Sequence, residues 1–286
     1  MQQASNLLNT SDHSRDSMGM IYVYPVVSRR AGGVSIGINL NPNNACNWRC
    51  IYCQVPDLKR GAAPPVDLVK LENELRGFLQ ELTTGDFMRK QVPPEARSIQ
   101  DIALSGNGEP TSAKEFEQVI DLIGRVKKDF VLPKDLKLVL ITNGSLIDRP
   151  YVLTGLQRMA QMNGEIWFKL DSATREGRLR INNTRMSLKQ VHKNIGLSAS
   201  ICPTWLQTCV FNLSDEPPSE KEIKAYLEFV GKLLNEGVSL KGVLVYGIAR
   251  PSLQPESKFL SRIDKGWLDM FCDRIRKLGL TVKPSY

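Results

Sequence analysis

Cys46-Asn47-Trp48-Arg49-Cys50-Ile51-Tyr52-Cys53 sets three cysteines at C-x3-C-x2-C spacing, shortly after the largely apolar run over residues 34–40. Thiolates are soft ligands that suit iron–sulfur clusters and zinc. Three of them hold a four-iron cluster and leave one iron open. An open coordination position is how a metal centre keeps room for chemistry, whereas closed four-ligand sites are structural. Two plainer readings of the same residues stand beside this one: half of a zinc site, or three unconnected thiols in a loop.

Outward from that loop the chain reads as alternating strands and helices. Residues 34–40 alternate apolar with small or polar side chains, a strand that Pro42 ends. Further strands are predicted over residues 99–105, 137–141, 165–170, 205–211 and 240–248, with a short one near 280–283. Residues 21–30 precede a Gly32-Gly33 break and receive no element. Residues 66–82 form a helix whose Leu68, Leu71, Leu75, Phe78 and Leu82 share one face, capped by Asp67. A second helix is predicted to open at Ser112, with Glu115 completing a capping box and Phe116, Val119, Ile120 and Ile123 inward. Others cover 150–162 (Leu153, Leu156 and Met159 inward), 187–195, and 219–235 behind the box Ser219-x-x-Glu222. A last one carries Trp267, Phe271, Ile275 and Leu278, with Gly279 as its stop. Some six alternations predict βα units, right-handed crossovers and a parallel sheet.

With 286 residues, 42% of them hydrophobic, the chain suffices for one barrel-sized domain. Six cysteines in this length do not suggest a disulfide framework. Met1 to Met18 is polar and has no apolar core of a signal peptide, and no apolar stretch nears the roughly 20 residues that span a bilayer. We therefore expect no membrane association, a flexible tail over 1–20, one domain over 21–286, and a cytoplasmic, reducing location. The net charge of +8 permits an anionic partner such as RNA, although generic surface lysine gives the same figure.

The predicted strands end in polar residues. The second ends in Gly106-Asn107-Gly108-Glu109-Pro110, the third in Thr142-Asn143, the fourth in Lys169, Asp171 and Ser172, the fifth in Asn212, and the sixth leads to Arg250. In parallel α/β barrels chemistry sits at these carboxyl ends, and a shared site explains so many polar strand ends better than chance. Lys169 and Asp171 are two apart and so share a strand face with Trp167. Lys169 is the candidate catalytic side chain, to hold a carboxylate or attack a carbonyl; a structural Lys–Asp pair is the plainer reading.

The three cysteines, with the aromatic Tyr52 before the last, resemble the signature of the radical S-adenosylmethionine (SAM) superfamily. The resemblance implies a partial (β/α)6 TIM-like barrel and a 4Fe–4S cluster on Cys46, Cys50 and Cys53. It implies SAM on the open iron, cleaved by one electron to a 5′-deoxyadenosyl radical, and a low-potential electron donor of the flavodoxin or ferredoxin type. Residues 106–110 resemble the glycine-glutamate motif that receives the methionine amine of SAM, with Asn107 where the motif has glycine. The expected SAM-binding set is thus Gly106, Asn107, Gly108 and Glu109, with Tyr52 near the adenine, Asp171 and Ser172 at the ribose, and Thr142, Asn143, Asn212 and Arg250 lining the ligand.

Within the superfamily, SGNGEPT, LITNGSL and KLDS are similar to the wyosine-synthase-like branch (4-demethylwyosine synthase-related), which includes enzymes of tRNA modification. Those tRNA enzymes carry further cysteines upstream of the radical loop; here none precedes Cys46. The expected activity is an oxidoreductase or lyase abstracting hydrogen from a tRNA base. The alternatives are a small metabolite or peptide as substrate, and a non-catalytic zinc-binding RNA module. Cys202, Cys209 and Cys272 lack a C-x2-C step and read as buried thiols rather than a second cluster, and His192 is expected to face solvent.

Overall fold

The computed structural model describes residues 19–28 and 32–286. Most of the tail expected over 1–20, with His13 in it, lies outside the described residues. Eight strands form the main sheet: β1 (Val23–Ser28), β2 (Gly33–Ile38), β3 (Ile99–Leu104), β4 (Lys137–Thr142), β5 (Gly164–Lys169), β6 (Thr204–Val210), β7 (Gly242–Gly247) and β8 (Val282–Ser285), side by side in that order. Every neighbouring pair from β2 to β8 is parallel, and β1 alone runs antiparallel, against β2. Helices α1 (Leu68–Thr83), α2 (Phe116–Asp129), α3 (Pro150–Ala160), α4 (Arg175–Asn182), α5 (Leu188–Ile201), α6 (Glu220–Asn235) and α7 (Lys265–Arg276) fill the connections. The fold is an α/β half-barrel, a curled mixed sheet backed by helices.

Strand period sorts the residues. On the outer face Ile36, Ile38, Ile102, Leu104, Leu138, Leu140, Ile166, Phe168 and Leu206 are fully buried beneath the helices. Each contributes about 1.5–3 kcal/mol by leaving water. The alternate positions face inward, and Ser35, Gly37, Asp101, Ala103, Trp167, Lys169, Gln207 and Cys209 line a central cavity. The main apolar core therefore lies between sheet and helices, and the interior is left polar.

Three elements depart from expectation. Strand β1 falls where no element was expected. Pro25 argues against a central strand, but β1 is an edge, where proline's missing donor costs no ladder bond. Helix α2 starts at Phe116 rather than Ser112, and Glu115 makes no side-chain cap. Ser112 is spent on a 3₁₀ turn, Pro110–Ser112, where its Oγ donates to the Glu109 carbonyl at 2.7 Å. Helix α4 escaped the reading because its sequence REGRLRIN shows no apolar stripe; Thr174 caps its start, and Asn183 ends it in a left-handed conformation. Helix α1 begins behind Asp67 as expected, and Ser219 caps α6. Among the described residues no helix is long and apolar enough to cross a membrane.

Candidate active site

The cysteine loop leaves the carboxyl end of β2 and returns to pair with itself, Ala45 against Lys59 and Cys46 against Arg60. The C-terminal end of α4 receives it: Ile51 N donates to the Ile181 carbonyl at 2.9 Å and Arg49 N to that of Asn182 at 3.3 Å. On the other side Ser252, Leu253 and Gln254 hold the carbonyls of Ile51, Cys53 and Val55. Arg49 forms a two-pronged ion pair with Glu256, at 2.5 and 2.8 Å. Cys46, Cys50 and Cys53 all line the one cavity, of about 290 Å³. Trp48 N approaches the Cys46 sulfur at 3.4 Å and Asn182 Nδ2 the Cys50 sulfur at 3.3 Å.

Burial pushes the Cys46 and Cys50 thiols up to about 12. Metal must displace these protons to bind. Among the described residues no three His, Cys, Asp or Glu side chains close on a single ion. A four-iron cube takes each thiolate on a different iron, so its ligands stand further apart than those of one ion. The all-sulfur donor set, pre-formed on one cavity wall, fits such a cluster.

Beside the thiols lies the end of β3. A Cβ at Gly108 would sit 2.0 Å from the Ala45 carbonyl oxygen, so glycine alone lets this turn press on the cysteine loop. Asn39 Oδ1 accepts from Asn107 N at 3.0 Å and fixes the turn. Glu109 is 2% exposed. Its carboxylate accepts from Thr111 Oγ1 at 2.6 Å, Thr142 Oγ1 at 2.5 Å and Asn143 N at 2.7 Å. Burial raises its pKa, and these donors only partly offset that. Among the described residues no cation pairs with it, and the buried Asn107 Oδ1 has no hydrogen-bond partner. A buried anion beside an unmet acceptor fits an ammonium ligand, as the amine of SAM requires.

Deeper in, Tyr52 Oη donates to Asp171 Oδ2 at 2.5 Å, and Asn182 Nδ2 donates to the same oxygen at 2.7 Å. Cys209 N satisfies Asp171 Oδ1 at 2.9 Å. Asp171 is thus taken up by the protein itself. Lys169 Nζ donates to Tyr52 Oη at 3.4 Å and Tyr246 Oη at 3.2 Å, and stands over both rings. Burial works against its charge, and the acidic groups around it, Tyr246 and Asp171 foremost, raise its pKa above that of a free lysine. An ammonium at this position attracts anions.

The structure separates the remaining expected residues. Gly106, Asn107, Gly108, Glu109, Asn143, Tyr52 and Arg250 line the cavity. Thr142 stands behind Glu109. Ser172 turns away, its Oγ donating to Glu222 Oε2 at 2.6 Å. Asn212 lies outside the cavity on the short pairing Asn212–Leu213 with Leu260–Ser261. Gln207 and Tyr246 also line the cavity, and Asn182 bonds Cys50 and Asp171; strand period points Gln207 and Tyr246 inward, but nothing in the sequence marks Asn182. Cys202 and Cys272 sit in the helix–sheet core and Cys209 on the cavity, so the three do not converge. His192 is half-buried rather than solvent-facing, its Nε2 2.8 Å from Glu236 and its ring against Phe229.

A half-barrel with three thiols and an ammonium-ready carboxylate at the carboxyl ends of its strands defines a metal-cluster enzyme scaffold. The Radical SAM superfamily profile matches residues 40–230, and the chain belongs to that superfamily, whose enzymes use a 4Fe–4S cluster and SAM. A "UPF0026 protein" of Helicobacter pylori is 31% identical over 141 residues, 46% of this chain and 38% of that protein. A "UPF0026 protein" of Synechocystis is 29% identical over 161 residues, 56% of this chain and 52% of that protein. The matches thus span about half or less of those relatives' lengths. Among solved structures, TYW1 with a lysine-pyruvate adduct aligns over 85% of this chain and 73% of its own (TM-score 0.55, 14% identity). Spore photoproduct lyase with a dinucleoside spore photoproduct aligns over 98% and 80% (TM-score 0.56, 12% identity). At such identities these likenesses concern the fold.

Proposed function

We propose that this chain reductively cleaves SAM and uses the resulting radical to take a hydrogen atom from a small molecule seated in the half-barrel. The observation that carries the reading is that Cys46, Cys50, Cys53 and the cation-free Glu109 face the same cavity as Lys169 and Gln207. When bound, the cluster and SAM supply a 5′-deoxyadenosyl radical; the protein's share is to bind, orient and exclude water. In this reading Cys46, Cys50 and Cys53 hold the cluster, and Glu109 with Asn107 holds the amine. Gly106 and Gly108 let the ligand approach, while Asn143, Tyr52 and Arg250 flank it. Lys169 touches the substrate. An external low-potential donor of the flavodoxin or ferredoxin type delivers the electron, and a reducing compartment such as the cytoplasm preserves the cluster.

A tRNA base is the second reading. It is favoured by Arg175, Arg180 and Arg185, exposed on or beside the helix that receives the cysteine loop, and by the net charge. The test is 5′-deoxyadenosine formation by anaerobically reconstituted protein with SAM and dithionite, with and without bulk tRNA. Product whose rate ignores tRNA supports the small-molecule reading, and strong stimulation by tRNA replaces it with the second. No product from protein with a full cluster, whether tRNA is present or not, overturns both.

A further inference from the structure

Gln207 is 1% exposed, lines the cavity, and leaves both Nε2 and Oε1 without a hydrogen-bond partner. A buried carboxamide with neither end met loses stability at each unmet group. Such a residue is retained in a core position when something else completes it. Gln207 is the register partner of Lys169 on the adjacent strand, so the two side chains rise from the same level of the same sheet face.

Lys169 is incomplete as well. Of its three donors, two go to Tyr52 and Tyr246. Among the described residues no carboxylate lies within ion-pair distance of it, and Asp171 is taken up by Tyr52, Asn182 and the Cys209 amide. The pair therefore offers an ammonium N–H and an amide N–H to an anionic oxygen. On the same planar amide, Gln207 Oε1 calls for a donor immediately beside that oxygen.

We infer that Lys169 and Gln207 form a substrate subsite for a small carboxylate bearing a hydrogen-bond donor on the neighbouring carbon, that is, a 2-hydroxy or 2-amino acid. The carboxylate meets the two N–H groups, and the hydroxyl or amine meets Oε1. Both acids present this same pattern, and an acid without the donor leaves Oε1 unmet. The inference rests on the small-molecule reading of the cavity, and it gives that reading a substrate class.

The test uses the full chain with its cluster and reads binding directly, by saturation-transfer NMR competition among lactate, alanine, propionate and lactamide. Lactate or alanine, whichever names the class, should bind at least tenfold more tightly than propionate and lactamide. Gln207→Met, close in volume, should bring that acid down to the level of propionate while leaving the melting temperature within a few degrees. Gln207→Glu, which sets a second carboxylate against the ligand, should abolish binding of both acids. Wild-type protein that binds propionate as well as lactate and alanine, or a Gln207→Met variant with unchanged preference, overturns the inference. The two readings fail separately. Selective acid binding without 5′-deoxyadenosine formation sinks the proposed radical chemistry and leaves the subsite; 5′-deoxyadenosine formation without acid selectivity does the reverse.

Discussion

The Ser252 hydroxyl donates to the Ile51 carbonyl at 2.7 Å, joining positions 201 apart in sequence. With the Leu253 amide on the Cys53 carbonyl at 2.9 Å, it straps the cysteine loop from outside. Ser252→Ala leaves the buried Ile51 carbonyl with a lost partner, at a cost of about 1 kcal/mol. We expect the variant to load iron but to lose the cluster several-fold faster in air, followed by the decay of its visible absorbance.

Cys50→Ala should abolish cluster assembly, because two thiolates cannot hold the cube. Cys272→Ala should leave iron per chain near the wild-type value, since Cys272 lies in the helix–sheet core and does not line the cavity of the three thiols. Iron and sulfide analysis after anaerobic reconstitution checks both.

Cluster loading should be faster in alkaline buffer. The Cys46 and Cys50 thiols are pushed up to about 12 by burial, so near neutrality both are protonated and both protons must leave. Raising the pH lowers that cost, and protons should be released on loading, measurable in weakly buffered solution with a pH dye. A loading rate that is flat with pH sinks this account.

Glu109→Gln should fold and take up the cluster, yet bind SAM roughly 10- to 100-fold more weakly, through loss of a charge-assisted bond worth about 1.5–3 kcal/mol. The sign of the pH effect follows from the raised pKa of Glu109. A neutral acid does not attract an ammonium, so wild-type affinity should climb as pH rises through that pKa, and the variant should lack the climb. For stability the sense is opposite: a raised carboxylate pKa favours the fold at acid pH, and that contribution fades as the acid ionises. Calorimetric titration with SAM across pH separates the two.

Gly108→Ala drives a methyl group into the Ala45 carbonyl oxygen, where neither backbone can give cheaply. A loss of about 1–3 kcal/mol of stability is expected, together with impaired cluster retention, because the same movement displaces Cys46. Chemical denaturation and iron content measure the two effects.

Much of this was legible in the chain. The C-x3-C-x2-C loop and the strand-end turn at Gly106–Pro110 announce themselves because spacing and glycine content are local properties. The outer-face aliphatics of β2 to β7 follow from period two alone. Strand β1 was hidden because proline argues against a central strand, and only the three-dimensional structure makes it an edge. Asp171 and Ser172 were legible as a strand end but not in their roles. Which partner takes a carboxylate or hydroxyl depends on Tyr52, Asn182 and Glu222, which arrive from elsewhere in the sequence. Gln207 drew no attention because an unmet amide is a property of its neighbours.

The cavity wall has a double origin. Tyr24, Val26, Ser35 and Gly37 come from the hairpin before residue 40, and Tyr246, Ile248 and Arg250 from beyond residue 230, outside the segment the superfamily profile matches. The thiols and Glu109 lie within that segment. The flanks thus complete a wall whose thiols, Glu109, Lys169 and Gln207 all come from the middle of the chain. An excised 40–230 fragment would keep the thiols, Glu109, Lys169 and Gln207, yet lose both ends of the wall around them and the Ser252 strap across the cysteine loop.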